Sequence, residues 1–146
     1  MKDWQKNFLQ KLEGAKKQWL HRFERFATEH LEPVFDRFAD FATSNGFRVS
    51  APDCDAGTRR YKFALTENGY VLLTFQMKGL EQVEVCIEVA VPGQGNADSA
   101  DRRTDLHLAG PSWVETQFED GLDTFLTAFG EAGANDAECA QELVTA

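Results

Sequence analysis

The chain has 146 residues, 42% of them hydrophobic and 27% charged, which suits one domain with a core of its own. Its net charge of −9 opposes phosphate backbones and argues against nucleic acid as a partner, and three widely spaced cysteines without a CxxC pair argue against a disulfide framework. No run approaches the ~18 apolar residues of a membrane span and no leader with a cleavage site is legible, so a reducing, cytoplasmic setting is expected.

The charge is unevenly placed. Residues 1–30 hold seven Lys/Arg against four Asp/Glu, whereas from Thr104 onward nine acids stand without a single Lys or Arg. The acidic third reads as a solvated surface.

In the first 26 residues Trp4, Phe8, Leu12, Ala15, Trp19, Phe23 and Phe26 follow at steps of three, four or seven. At about 100° per residue they occupy an arc of about 100°, one face of a helix, with Lys2, Lys6, Lys11, Glu13, Lys16, Lys17 and Glu24 around it. This helix is expected over Asp3–His30. Pro33 suits a first-turn position, so a second helix is expected to restart there after a kink, with Val34, Phe35, Phe38, Phe41 and Ala42 as its apolar face. Asn45-Gly46 ends it.

From Phe47 the period changes to two, the mark of strands with one covered face. Phe47, Val49 and Ala51 form a first strand, and Tyr61, Phe63 and Leu65 a second. Asn68-Gly69 is the strongest hairpin signal, since both residues tolerate the positive φ of a primed turn, and it leads into Tyr70–Met77. After Lys78-Gly79, Val83, Val85, Ile87, Val89 and Val91 alternate with Glu84, Cys86 and Glu88, which mark a solvent-facing side. Pro92–Asp101, rich in Gly, Asn, Asp and Ser, reads as a mobile, dispensable loop. A short strand around Thr104–Ala109 returns to the sheet.

Ser112-Trp113-Val114-Glu115 has capping-box spacing. The helix that follows presents Val114, Phe118, Leu122, Phe125 and Phe129, with Gly133 as its stop and a short terminal helix over Asp136–Val144. The sum is an α+β domain spanning residues 1–146: two N-terminal helices, an antiparallel meander of four to five strands, and a C-terminal helix packed on one sheet face.

Chemistry is sparse. Cys86 sits among valines, Cys54 is flanked by Asp53 and Asp55, and Cys139 lies in an acidic tail, three poor settings for a thiolate. His21 and His30 stand nine residues apart, on opposite sides of one helix, and His107 alternates towards solvent. The segment from Asp53 lacks the glycine and the bidentate glutamate of a calcium loop, and Gly93-Gln94-Gly95 lacks the third glycine of a nucleotide cradle. The carboxylate pairs Glu84 and Glu88, Glu32, Asp36 and Asp40, and Glu119 and Asp123 are expected among so many acids. Arg59-Arg60 with Lys62, and Arg102-Arg103, read as compensation of neighbouring carboxylates. No catalytic residue, cofactor site or metal site is assigned.

The first helix is long for the body. At ~1.5 Å per residue its 28 residues span ~42 Å, against a diameter of about 38 Å for a compact chain of this length. Its end should overhang, leaving Trp4, Phe8, Leu12 and Trp19 for a partner. The leading expectation is therefore a non-enzymatic interaction, assembly or adaptor module, homodimeric through this helix. A small-molecule-binding protein or enzyme, with a pocket lined by Phe63, Phe75, Trp113, Phe118, Phe125 and Phe129, is one alternative. Membrane-surface association through the basic, aromatic helix is another.

Overall fold

A computed structural model describes residues 2–52, 55–94 and 97–145, with side chains described as far as Ala134. The architecture is α+β. Helices α1 (Asp3–Phe26) and α2 (Glu32–Ser44) precede the strands β1 (Arg48–Ser50), β2 (Thr58–Thr66), β3 (Gly69–Lys78), β4 (Gln82–Ala90) and β5 (Asp98–Asp105), and α3 (Pro111–Thr145) follows. The strands form one antiparallel meander in the order β1-β2-β3-β4-β5.

α1 and α2 do not break at Pro33. They are joined by a π-helical turn over Ala27–Leu31, in which the Glu32 N–H reaches back to the Ala27 carbonyl. Pro33, early in α2, has no N–H to donate, and the wider turn absorbs that loss while keeping the rod continuous. Phe23, Phe26, Ala27, Leu31 and Val34 are buried across the junction, so the extra residue keeps both helices facing the core. Phe41, expected on the apolar face of α2, is instead 73% exposed. The end of α2 is as expected. Gly46 at φ 92° lets Phe47 N–H bond the Ala42 carbonyl at 3.1 Å and its own N–H bond that of Thr43.

One sheet face is covered. Tyr61, Phe63, Val71, Leu73, Phe75, Val83, Val85, Ile87 and Val89 are buried under α2 and α3. The centre of this layer is the Phe118 ring of α3, which has the rings of Phe38, Tyr61, Phe75, Phe63 and Phe35 at 5.4, 5.6, 5.7, 5.9 and 6.3 Å between centroids. These offset and edge-on contacts fill the space between sheet and helices.

Three expectations about the strands and their connections give way. The β2–β3 hairpin turns at Glu67-Asn68, with Thr66 opposite Gly69, and neither turn residue has positive φ, so the turn is not a primed one. Gly69 is required for space: a Cβ there would lie 2.7 Å from the Phe129 ring and 2.8 Å from Thr66 Oγ1. The supposed mobile loop Pro92–Asp101 loses its second half to β5, which begins at Asp98 opposite Val89, while Gly95 and Asn96 lie outside the described residues. The strand expected at Thr104–Ala109 has shifted about six residues towards the N-terminus, and Leu106–Leu108 is a 3-10 turn. The sequence Asp98-Ser-Ala-Asp-Arg-Arg-Thr-Asp105 has no apolar alternation because β5 is an edge strand held by its backbone ladder to β4.

At α3 the capping box is not used. Pro111 takes the first helical position, Val114 N–H bonds the Gly110 carbonyl at 3.1 Å, and Ser112 lies inside the first turn. Glu115 pairs with Arg37 of α2 instead of reaching back. Gly133 does not stop the helix, which continues as a single element through the region expected to form a separate terminal helix. An interior glycine lowers helix propensity by only about 1 kcal/mol, less than a run of favourable neighbours can offset.

Candidate functional site

The aromatic stripe of α1 divides along its length. Phe23 and Phe26 are buried in the core, Trp19 and Leu12 are half-buried, and Trp4 and Phe8 are 64% and 58% exposed. The helix is fixed to the body at its C-terminal end. Glu24 pairs with Arg59 and accepts the Gly57 N–H at 3.2 Å, and Leu20 lies against Gly57. Gly57 at φ 82° in turn accepts the Met77 N–H at 3.0 Å, which ties this anchor to the sheet. Trp19 packs on the core with the Arg22 guanidinium 4.6 Å from its ring centre.

The N-terminal turns thus form an arm whose apolar side is uncovered. Leu9 extends the patch at 47% exposure, and with Trp4, Gln5 and Phe8 it lines a shallow apolar depression. It lies outside the 100° arc, and the adjacent pair Phe8-Leu9 was the signal that the patch is wider than the stripe.

A second concave surface lies where α1, α2 and the start of β2 meet. Glu24, Glu32, Phe35, Asp36, Asp55 and Arg60 line much of this cleft of about 570 Å³. Among the described residues it gathers carboxylates and guanidinium groups, which equips it to hold polar groups.

Of the two basic clusters, Arg59, Arg102 and Arg103 are paired with carboxylates. Arg102 meets Asp120 of α3 at 2.6 Å, and Arg103 meets Glu84 at 2.7 Å. The two basic clusters sit on β2 and β5, with β3 and β4 between them, so the sheet does not combine them into one anion site. Glu84, read from sequence as solvent-facing, is only 6% exposed although it stands on the uncovered face of the sheet. Arg103, Gln76 and Lys78 close over it. The hydrogen bond from Arg103 holds its carboxyl below the usual carboxylate range, and desolvation only partly opposes this. Cross-strand partners at two-residue spacing could have indicated it, since Glu84 lies directly opposite both Gln76 and Arg103.

Cys86 is half-buried, and desolvation, with Asp101 hydrogen-bonded beside it, pushes its thiol up to about 11. Cys54 lies outside the described residues, as does the Cys139 side chain, and the calcium-like segment cannot be followed through Asp53. His21 and His107 are exposed, while His30 stands edge-on to Phe26 at 5.9 Å. Among the described residues no three His, Cys, Asp or Glu converge on a point that could hold a metal ion, and no helix is long and apolar enough to cross a membrane.

Against protein-family models, curated proteins and solved structures, the chain finds no significant match.

Proposed function

We propose that this protein is a non-catalytic assembly or adaptor module of the cytoplasm that associates through the α1 arm, with Trp4, Phe8, Leu12 and Trp19 as its contact residues. The observation that carries this reading is the exposure of Trp4 and Phe8 at 64% and 58% on a helix that Glu24 and Arg59 tie to the body at its far end. Burying Trp4, Phe8 and Leu9 against a partner contributes about 1.5–3 kcal/mol per side chain, a strong incentive to keep that face covered. Aromatic side chains are also the residues enriched at interface cores.

A second copy of the chain is the partner favoured by charge. The arm belongs to a segment with seven Lys/Arg against four Asp/Glu, whereas residues 31–146 hold eight against twenty. The arm of one copy is attracted to the body of another.

The filled aromatic layer offers no support to a ligand pocket between sheet and helices. Sedimentation velocity of the full chain over a wide concentration range tests the proposal, alongside the double variant Trp4→Ala/Phe8→Ala. Concentration-dependent association that the variant weakens is expected. A wild-type chain that stays monomeric near millimolar concentration overturns self-association through the arm. Binding of the arm to anionic vesicles at low salt, in a chain that does not self-associate, would assign it to membrane surfaces instead.

A further inference from the structure

Among the described residues helices cover one face of the sheet and leave the other open, and the open face carries an ordered charge pattern. At the level of Leu72 the ladder runs Ser50 on β1, Lys62 on β2, Leu72 on β3, Glu88 on β4 and Ser99 on β5. In sign the row reads polar, positive, apolar, negative, polar. Turned end for end about the central strand, it places serine over serine, Lys62 over Glu88 and Leu72 over Leu72. In the next row the three inner strands repeat this symmetry with Ala64, Tyr70 and Ala90, while Arg48 on β1 has no counterpart on β5.

More widely, bases lie on one side of β3 and acids on the other. Arg48, Arg60 and Lys62 occupy β1 and β2, and Glu88 and Asp101 occupy β4 and β5. The row of Gln76, Glu84 and Arg103 departs from the pattern because Arg103 and Lys78 neutralise Glu84 within the chain. Among the described residues neither Lys62 nor Glu88 has an ion-pair partner. The Lys62 ammonium instead rests 4.4 Å from the centre of the Tyr70 ring, which holds it on the face.

We propose that the open sheet face is a self-association surface. A second copy packs on it about a two-fold axis that runs along β3 in the plane of the interface. Lys62 of each copy meets Glu88 of the other, and Leu72 and Tyr70 lie at the centre. With five strands the axis falls on β3, so β2 of each copy faces β4 of the other. Only this direction of the axis works: an axis across the strands would stack Lys62 on Lys62 and Glu88 on Glu88.

Aligned sheets pack at about 30°, and Lys62 and Glu88, one strand from the axis, are displaced least by that angle. Five strands at ~4.8 Å and about seven residues at ~3.3 Å give a face of about 550 Å² per copy. The pair then buries about 1,100 Å², the size of the smaller specific interfaces. The surface is separate from the α1 arm, so this inference goes beyond the arm reading and either can fail alone. If both operate, the chain forms species larger than a dimer.

Sedimentation velocity on the full chain with Lys62→Glu, Glu88→Lys and the double reversal tests it, each also in the Trp4→Ala/Phe8→Ala background. Each single reversal is expected to weaken association about tenfold and the double reversal to restore it to within about threefold, since the swapped pair re-forms in the opposite sense. Circular dichroism establishes that each variant is folded, and Leu72→Ala, which removes the central contact without changing charge, provides an independent loss of association. The arm-deficient background retaining a dimer that Lys62→Glu disrupts supports the sheet face. That background being monomeric at the highest attainable concentration overturns it, as does a double reversal that associates no better than the singles.

Discussion

Arg103 on β5 donates from Nε to Glu84 Oε2 at 2.7 Å, directly across the strand pair and on the face of the sheet that no helix covers. The carboxylate is shielded by long side chains and held ionised by that hydrogen bond, so its folded-state pKa lies below its unfolded value. Stability from this group is present above the ordinary carboxylate range and is lost as pH falls through the folded value. Urea denaturation from neutral to acid pH is expected to show this loss, and Glu84→Gln to lower the neutral-pH stability and flatten that part of the profile. A variant whose acid profile superimposes on the wild type would show that Glu84 is not a linked group.

Cys86 is expected to be a slow thiol. With its pKa at about 11, roughly one molecule in a thousand carries the thiolate at pH 8, because reactivity follows the ionised fraction. Alkylation by iodoacetamide, read site by site by peptide mass spectrometry, should modify Cys86 far more slowly than the same peptide after unfolding. Asp101→Asn, which removes the neighbouring negative charge, should accelerate it. Equal rates in folded and unfolded chains would refute the assignment.

Phe118 is the side chain on which the interlayer depends. Phe118→Ala removes a fully buried ring with five aromatic neighbours and is expected to cost about 3–5 kcal/mol, the range for large-to-small aromatic truncations. Denaturant midpoints measure it. A cost below about 1 kcal/mol would mean that the layer can collapse onto the vacancy.

Gly69 and Phe129 should be coupled. Alanine at position 69 drives a Cβ to 2.7 Å from the Phe129 ring, and overpacking of this kind costs about 1–3 kcal/mol. In a double-mutant cycle, Phe129→Ala is expected to remove most of the penalty of Gly69→Ala. Additive losses would place the cause in the contact with Thr66 Oγ1 or in the Glu67-Asn68 turn and not in the approach of α3.

The fold class was legible because periodicity survives without tertiary information. The period of 3.6 in α1 and of two from Phe47 onward placed the long helix and the first four strands near their observed positions. The asparagine-glycine end of α2 followed from local φ preference alone. Of the stripe residues expected to be left for a partner, Trp4 and Phe8 are exposed while Leu12 and Trp19 are half-buried, because Trp19 packs on the core. What tertiary structure decided lay where local signals are weak or shared. β5 has no apolar alternation, because an edge strand is specified by the free backbone groups of β4 and not by its own side chains. Gly69 reads as a turn residue, and the approach of the Phe129 ring, with Thr66 Oγ1 beside it, shows that it is needed for space. Glu84 reads as one solvated acid among many until the strand register sets Arg103 and Gln76 beside it. Helix and strand periods are properties of consecutive residues, whereas registers, shielding and close approaches depend on residues distant in the chain, which no window along the sequence brings together.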